Sequence, residues 1–442
     1  MLGFFSIGNA FCPRERMIVC PVTPCAKSSL FPNDQDNQLS SLMNLTSSQP
    51  FWSVNNGLQA NYPSLQRNVS CDVVVIGGGI TGALVAIHLA EAGVKTLVLD
   101  QRDIGTGSTS ASTALLQYEI DVPLRELIKQ VGPAAATRSY RLCREAIGKL
   151  QRLATRLKID CGFERKPSLF LARHQREIPE LREEFRLRRK MGIDLEFYDA
   201  PAIQARFPFS RPAALFSKDG GQVDPHRLTH GLLAAGKRAG LEVYDRTKMA
   251  RLEQTRRGVR ITTQNGRLIT ARRSVIAAGF ESKALLKSEA GTLKSTYALI
   301  SEPLAKISGW YQQCLIWESG TPYLYLRTTP EGRVIVGGED ENFVNGKRRD
   351  ALISQKTRTL IKKFGRLFPD LPLEVAYAWA GTFGETKDGL AYIGVHPRFP
   401  HTYFALGYGG NGITFSVIAA EVIRDSFLGR TNRDSHLFRF GR

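Results

Sequence analysis

The sequence predicts an α/β protein with two interleaved domains, and three observations carry this prediction. A strand–glycine turn–helix–strand unit of about 30 residues begins at Cys71. Similar strand and helix patterns recur in residues 215–290 and 366–442. Strand-rich stretches lie between these pieces and favour a mixed sheet. The recurring pieces are therefore expected to form one Rossmann-like domain, interrupted in sequence by a second domain.

The first unit carries a dinucleotide-binding pattern. Residues 71–76 (CDVVVI) predict a buried parallel strand, residues 83–92 a helix, and residues 96–99 a second strand. The GxGxxG glycines between them would allow a tight turn, approach of the backbone to a pyrophosphate, and close helix–strand packing. An acid 18 residues past the last glycine would accept hydrogen bonds from ribose hydroxyls. The predicted contacts from this unit are Gly77, Gly79, Ile80, Thr81, Gly82, Asp100 and Gln101.

A small polar loop follows the second strand directly. Residues 105–112 read GTGSTSAS, and this segment is called the GTGSTSAS loop below. Its backbone N–H groups and hydroxyls could wrap a phosphate or a similar polar chain. A flexible surface loop is the alternative interpretation of the same residues.

Composition narrows the class of protein. The chain has 442 residues, 43% of them hydrophobic, and no run of about 18 apolar residues that would predict a membrane span. The net charge of +19 comes from scattered Lys and Arg, and no nucleic-acid motif accompanies it, so specific nucleic-acid binding is not expected. Seven cysteines without a CxxC pair predict free thiols and a cytoplasmic location.

The start of the chain differs from the rest. Residues 1–42 have no clear periodicity and lack the arrangement of a secretory signal, although a transit peptide stays open. Residues 1–69 are predicted to be a disordered or arm-like leader, and Met43 is the expected true start.

Six blocks in fixed order resemble a known family. They are DVVVIGGGITGALVAIHLAEAG, LDQRDIGTGSTSAS, GGQVDPHRLTHGLLAAGKRAG, RRSVIAAG, PYLYLRTTPEGRVIVGG, and TKDGLAYIGVHP followed by LGYGGNGITFSVIAAEVI. Over residues 72–429 the chain resembles the FAD-dependent D-amino-acid oxidase and sarcosine/glycine oxidase superfamily. The resemblance implies an FAD-binding domain of residues 70–165, 215–290 and 366–442. It implies a mixed-sheet substrate domain of residues 166–214 and 291–365.

The resemblance also implies cofactor contacts beyond the first unit. Ser108 and Thr109 match flavin-chain contacts, and the backbone of Met249 matches a position beside adenine. A helix that starts just after the last matching loop would point its N–H groups at the flavin pyrimidine ring, where negative charge develops on reduction. The remaining implied contacts are Ala278, Gly279, Gly409, Gly410, Asn411, Gly412 and Ile413.

Tyr323 and Arg327 match the substrate side of the family. They form a Y-x-x-x-R segment whose arginine holds the substrate carboxylate in amino-acid-oxidising members, and a guanidinium fork suits a carboxylate. An outward-pointing arginine on a strand is the alternative. Residues 384–396 hold no cysteine, so noncovalent FAD is expected. The seven histidines form no metal spacing, so no metal is expected.

The implied activity is oxidation of a C–N bond in a small amine or amino acid. A hydride would pass to flavin N5, and the imine would hydrolyse without a strictly required acid–base residue. Whether oxygen or another carrier reoxidises the flavin is left open. One alternative is a dehydrogenase of 2-hydroxy acids or polyols, which would need a base. The other is a flavin-bearing binding or regulatory protein that uses its basic surface.

Overall fold

The computed structural model of the chain describes residues 46–286 and 291–442. They belong to a compact unit that spans Asn44–Arg442. The predictions of a leader in residues 1–42 and of a start at Met43 lie outside the described residues.

Helices and strands alternate along the whole described chain. The helices are α1 (Phe51–Asn56), α2 (Ile80–Glu91), α3 (Ser108–Ala111), α4 (Leu124–Val131), α5 (Pro133–Arg156), α6 (Ile178–Lys190), α7 (Ala200–Gln204), α8 (Pro225–Arg238), α9 (Lys283–Leu286), α10 (Gly346–Leu367) and α11 (Gly412–Phe427). The strands are β1 (Thr46–Ser47), β2 (Val69–Ile76), β3 (Thr96–Leu99), β4 (Leu115–Leu116), β5 (Glu164–Leu171), β6 (Leu195–Asp199), β7 (Ala213–Gln222), β8 (Glu242–Tyr244), β9 (Met249–Gln254), β10 (Val259–Thr263), β11 (Leu268–Ile276), β12 (Thr292–Ser301), β13 (Leu315–Glu318), β14 (Leu324–Thr328), β15 (Val334–Glu341), β16 (Val375–Glu385), β17 (Tyr392–His396) and β18 (Phe399–Leu406).

The first sheet contains the predicted dinucleotide unit. Its eight strands include the path β17-β18-β11-β2-β3-β8, which is parallel from β18 to β8, and β9 and β10 branch from β11. Strand β2 has an apolar run because both faces of a parallel sheet are covered. Helix α2 packs against α8 and α11 on one face. The carboxyl ends of β2, β3 and β11 therefore lie side by side.

The second sheet is mixed and has ten strands. Its order is β1-β16-β12-β15-β14-β13-β5-β7-β4, with β6 paired to β7. Leu324 and Leu326 of β14 pack with Phe364 of α10 in the core beneath one face. Because successive residues of a strand point to opposite faces, Tyr323 and Arg327 lie on the face turned away from α10.

Several local predictions are confirmed. Strand β3 has the predicted limits, and Gly132 separates α4 from α5. The four cysteines in the described part of the chain are buried and free: Cys71, Cys143, Cys161 and Cys314. The helix α8 is capped by Asp224, whose carboxylate accepts from the backbone N–H groups of His226 and Arg227.

Sheet membership crosses the predicted domain limits. Strands β7 and β16 lie mainly in segments predicted for the FAD-binding domain, but both belong to the ten-stranded sheet. Strand β16 pairs with β12 from Thr292 to Ser301. Segments predicted for the FAD-binding domain thus also contribute strands to the ten-stranded sheet. No helix within residues 46–286 and 291–442 has the length and apolar character that a bilayer crossing requires.

Part of the predicted leader is packed. Strand β1 pairs with Gly381 and Ala380 of β16, and α1 buries Phe51 and Trp52. Residues 46–56, called the N-terminal arm below, therefore contribute to the core.

A chain that starts at Met43 should bind FAD and melt as the full chain does, because residues 1–42 lack the periodicity of packed elements. A chain that starts at Gly57 should melt several degrees lower, since it loses the buried Phe51 and Trp52. Thermal unfolding of the three proteins measures both effects. A large drop for the Met43 start would contradict the first expectation.

Candidate active site

The turn after β2 accepts only glycine at two positions. Gly77 has φ +112°, and a Cβ there would collide with the carbonyl of Ala277 at the end of β11. A Cβ on Gly82 would collide with the carbonyl of Gly77. Helix α2 and the end of β11 therefore pack directly against the turn. Ala278 and Gly279, which follow Ala277 in sequence, lie beside the turn as well.

Asp100 holds this turn from the end of β3. Its Oδ2 accepts from the N–H of Gly78 at 2.7 Å, and its Oδ1 accepts from the N–H of Arg102 at 2.8 Å. Burial raises the pKa of Asp100 to about 6, against the opposing effect of these two hydrogen bonds. The neighbouring Gln101 donates to the carboxylate of Glu281 at 2.8 Å, so its side chain is already engaged.

The GTGSTSAS loop lies against the start of α2. Thr109 Oγ1 accepts from the N–H of Ile80 at 3.0 Å, and a Cβ on Gly79 would stand 2.9 Å from the same oxygen. The hydroxyl of Ser108 is buried and has no hydrogen-bond partner within the described residues. Gly79, the N-cap of α2, offers no side chain, and Thr109 engages only the N–H of Ile80. The N–H groups of Thr81 and Gly82 in the first turn have no helical acceptor and can bind a ligand.

The glycine-rich segment of residues 409–412, the GGNG loop, starts α11. The N–H of Gly410 donates to Asp121 Oδ2 at 2.7 Å. The amide of Asn411 donates to the carbonyls of Gln117 at 3.1 Å and Glu119 at 2.8 Å. Since Asn411 is engaged there, no side chain caps α11, and the N–H groups of Gly412 and Ile413 lie at an uncapped helix start.

The predicted cofactor residues converge on this edge of the first sheet. Thr81 of α2 and Ser416 of α11 share a hydrogen bond of 2.7 Å, which ties the two helix starts together. Met249 packs in the same apolar cluster as Ala278. The glycine cradle, the uncapped helix and the unpartnered Ser108 hydroxyl together fit a dinucleotide with a pyrophosphate and a flavin chain.

The ten-stranded sheet presents polar groups to these loops. Tyr325 forms hydrogen bonds with Thr296 of β12 and with Thr113, just past the GTGSTSAS loop. A Cβ on Gly337 would collide with the Tyr325 ring. The absence of a side chain at Gly337 therefore leaves the space that the ring occupies. Tyr323 lies two residues before Tyr325 and shares its face. The ten-stranded sheet and the loops of the first sheet therefore meet at Thr113.

Carboxylates line this meeting point. Burial raises the pKa of Asp340 to about 6, while hydrogen bonds from Thr296 and Tyr323 act the other way. Burial also raises the pKa of Asp121 to about 6, and the N–H of Gly410 opposes it. The side chain of Asp121 is accessible although it lies deep among protein atoms. Asp121, Asp340 and Glu385 of β16 are together called the acidic wall below.

A lysine neutralises a third carboxylate nearby. Lys294 and Glu385 form an ion pair of 2.6 Å. Glu385 raises the pKa of both Asp121 and Asp340, and Lys294 lowers it. Asp340 Oδ1 has no hydrogen-bond partner in the described chain. The wall consequently carries excess negative charge.

Arg327 lies on the same face as Tyr323 but is only 1% exposed. Its guanidinium donates to the carbonyl of Val223 at 3.2 Å and lies 5.2 Å from the ring centre of Trp52. Its Nε has no partner among the described atoms, and burial lowers the pKa of Arg327 to about 10. A buried guanidinium with an unpaired donor is a site that an anion would stabilise.

This architecture defines a dinucleotide-binding flavoprotein fold with a polar second sheet over the cofactor edge. The family model "FAD dependent oxidoreductase" matches residues 72–426, and the chain belongs to that family. It is an FAD-dependent enzyme.

Two curated relatives cover most of the chain. Gamma-glutamylputrescine oxidoreductase of Escherichia coli K12 is 28% identical over 388 residues, which cover 85% of this chain and 87% of the relative. Glycine oxidase of Bacillus licheniformis is 27% identical over 377 residues, which cover 81% and 93%.

Solved structures share the fold. Glycine oxidase from Geobacillus kaustophilus superposes with a TM-score of 0.71 at 20% identity, over 84% of this chain and 99% of that chain. L-Amino acid deaminase from Proteus myxofaciens gives 0.73 at 14% identity, over 90% and 99%.

The sequence patterns did not predict that the residues of the acidic wall lie together. Asp121, Asp340 and Glu385 come from three separate segments, and only the pairing of β12 with β15 and β16 brings two of them together. A weak signal was present, because the first half of β12 (TLKSTY) is mostly polar where a strand buried on both faces would be apolar.

Noncovalent binding predicts that acid or heat releases the flavin. The purified protein should be yellow, and after precipitation the colour should stay in the supernatant as FAD. Absorbance and chromatography of the supernatant measure this. Colour that remains in the pellet would contradict noncovalent attachment.

Proposed function

We propose that the protein oxidises the C–N bond of a small amine or amino acid. The observation that carries this proposal is the acidic wall of Asp121, Asp340 and Glu385 beside the GTGSTSAS and GGNG loops. When bound, FAD accepts the hydride from the carbon next to the substrate nitrogen. The glycine cradle, Asp100, Thr109 and the two uncapped helix starts would hold it.

The wall suits a cationic substrate. An alkylamine is protonated at neutral pH, as a lysine side chain is. Carboxylates of Asp121 and Asp340 would attract the ammonium group, and a charge-assisted hydrogen bond would orient it. The nitrogen must lose its proton before its lone pair can assist loss of the hydride. A carboxylate with a pKa near 6 is ionised at neutral pH and can accept that proton.

Tyr323 and Tyr325 would shape the same space. Burial keeps the pKa of both phenols above the ordinary value, so they stay neutral donors. Their rings cover the substrate side of the sheet and would exclude water from the nitrogen. The two relatives act on an amine and on glycine according to their names, which supports this class of substrate.

A dehydrogenase of hydroxy acids is the less supported alternative. Its substrate carries no ammonium group, so the carboxylates of Asp121 and Asp340 would have no positive charge to hold. A basic surface for nucleic acid has no feature in the described residues that favours it over the enzyme.

The wall predicts an acid limb in the pH profile. The plot of log kcat/KM should fall as pH drops through about 6, because Asp121 and Asp340 take up protons and lose their attraction for the ammonium. Asp340→Asn should lower kcat/KM by about 10- to 100-fold and make the limb shallower, since one ionisation remains. Steady-state kinetics from pH 5 to pH 9 measure both.

Glu253→Gln is the matched control for that experiment, because Glu253 lies on β9 and pairs with Arg251 at 3.2 Å, away from the wall. It should leave the limb unchanged. An unchanged limb in both Asp121→Asn and Asp340→Asn would contradict the proposed role of the wall.

Arg327 is proposed as the anchor for a substrate carboxylate. Arg327→Met should raise KM for an amino acid by about 10- to 100-fold and leave KM for the corresponding decarboxylated amine within about twofold. Arg327→Lys should recover only part, because a point charge cannot make the planar pair. The flavin spectrum should not change. Equal increases of KM for both substrates would mean that Arg327 is structural.

A further inference from the structure

We propose that the N-terminal arm, together with Trp379 of β16, holds the GTGSTSAS loop in the shape that binds FAD. Trp52 of the arm and Trp379 are then positioning residues for the cofactor. This inference rests on the proposed function, because it takes the loop as part of the FAD site. The arm precedes residue 72, where the match to the family model begins.

Both indoles donate to consecutive carbonyls of the loop. Trp52 Nε1 donates to the carbonyl of Ser112 at 2.7 Å, and Trp379 Nε1 donates to the carbonyl of Ala111 at 2.9 Å. These carbonyls lie at the end of the one-turn helix α3, where a helix leaves its carbonyls without helical partners. Both rings are almost fully buried, so water does not replace the indoles easily.

The arm is fastened to the second sheet at its start. Strand β1 pairs with β16 through Thr46 opposite Gly381. Ser47 Oγ accepts from Nε of the buried Arg349 at 2.7 Å, and Arg349 also donates to Thr382 at 2.6 Å. The position of Trp52 is thereby set relative to the strand that carries Trp379.

The other end of the arm is fastened to the first sheet's helices. Asn56 Nδ2 donates at 2.7 Å to Asp224, the residue that caps α8. Between the two ends, Phe51 and Trp52 pack with Ile300 and Ile335 of the second sheet. Trp52 cannot move away from the loop without opening this cluster.

A shift of the loop would reach the cofactor residues directly. Ala111 and Ser112 follow Ser108 and Thr109 within the same turn of chain, and Thr109 holds the N–H of Ile80. Loss of one indole bond should loosen the two carbonyls and, with them, the hydroxyls beside the start of α2. The Ala111 side chain also lies close to β16, since a Cβ on Gly381 would stand 3.4 Å from the Ala111 methyl.

Two phenylalanine variants isolate the hydrogen bonds. Trp52→Phe and Trp379→Phe each keep a buried aromatic ring and remove the indole N–H. Trp310→Phe is the matched control, because Trp310 Nε1 also donates to a backbone carbonyl, that of Cys314, at 2.8 Å. Trp310 is equally buried but lies in the core beneath α10, away from the FAD site.

Two measurements read the effect without any turnover. Titration of the apoprotein with FAD, followed by flavin fluorescence, gives the Kd. Hydrogen exchange of the apoprotein, read on a peptide that covers residues 105–116, reports the order of the loop. We expect Trp52→Phe and Trp379→Phe to raise the Kd about 3- to 10-fold each and to speed exchange in that peptide. Trp310→Phe should change neither the Kd for FAD nor the exchange rate of that peptide. Its melting temperature should nevertheless fall about as much as those of Trp52→Phe and Trp379→Phe.

The outcomes separate the inference from the proposed function. If the wild-type protein binds FAD and oxidises an amine, but both variants match Trp310→Phe in Kd and in exchange, the positioning role is overturned and the proposed function stands. If the wild-type protein binds no FAD, both are overturned. The inference is supported if Trp52→Phe and Trp379→Phe both show a higher Kd and faster exchange, while Trp310→Phe keeps the Kd and the exchange rate of the wild-type protein.

Discussion

The site depends on the contact between the carbonyl of Gly77 and the backbone of Gly82. Any side chain on Gly82 would occupy the space of that carbonyl, so α2 could not approach the end of β2. With α2 in place, its uncapped start faces the edge where β2, β3 and β11 end. Asp100, Thr109 and the GGNG loop are then arranged around one helix start. The cofactor edge is therefore a consequence of backbone packing, and the side chains adjust to it.

The second sheet gives the edge its chemistry. Its face toward α10 is apolar, and its other face is divided in two. One part, around Ile300 and Ile335, packs on the N-terminal arm. The other part, with Tyr325 and Asp340, faces the loops of the first sheet. One end of this face of the strands therefore binds the N-terminal arm, and the other end forms the polar wall. Both parts lie on the same face because they are separated only along the length of the strands.

The sequence was sufficient where the determinants are local. The limits of β3 and the start of α11 follow from short patterns in the sequence. It was insufficient where residues meet through strand register. Asp340 and Lys294 come together only through the pairing of β12 with β15, and the register shift near Ser295 follows from no local pattern. The burial of Arg327 depends on Trp52, which stood in a segment expected to be an unpacked leader.

The two indole bonds to the GTGSTSAS loop have a consequence for the order of assembly. Trp52 is 60 residues from Ser112, and Trp379 is 268 residues from Ala111. Closing loops of that length costs entropy before either bond can form. A growing chain can form the glycine turn early, but its loop carbonyls gain Trp379 only after most of the chain has been synthesised. Full affinity for the flavin, and not its mere retention, would then report that β16 has folded beside the GTGSTSAS loop.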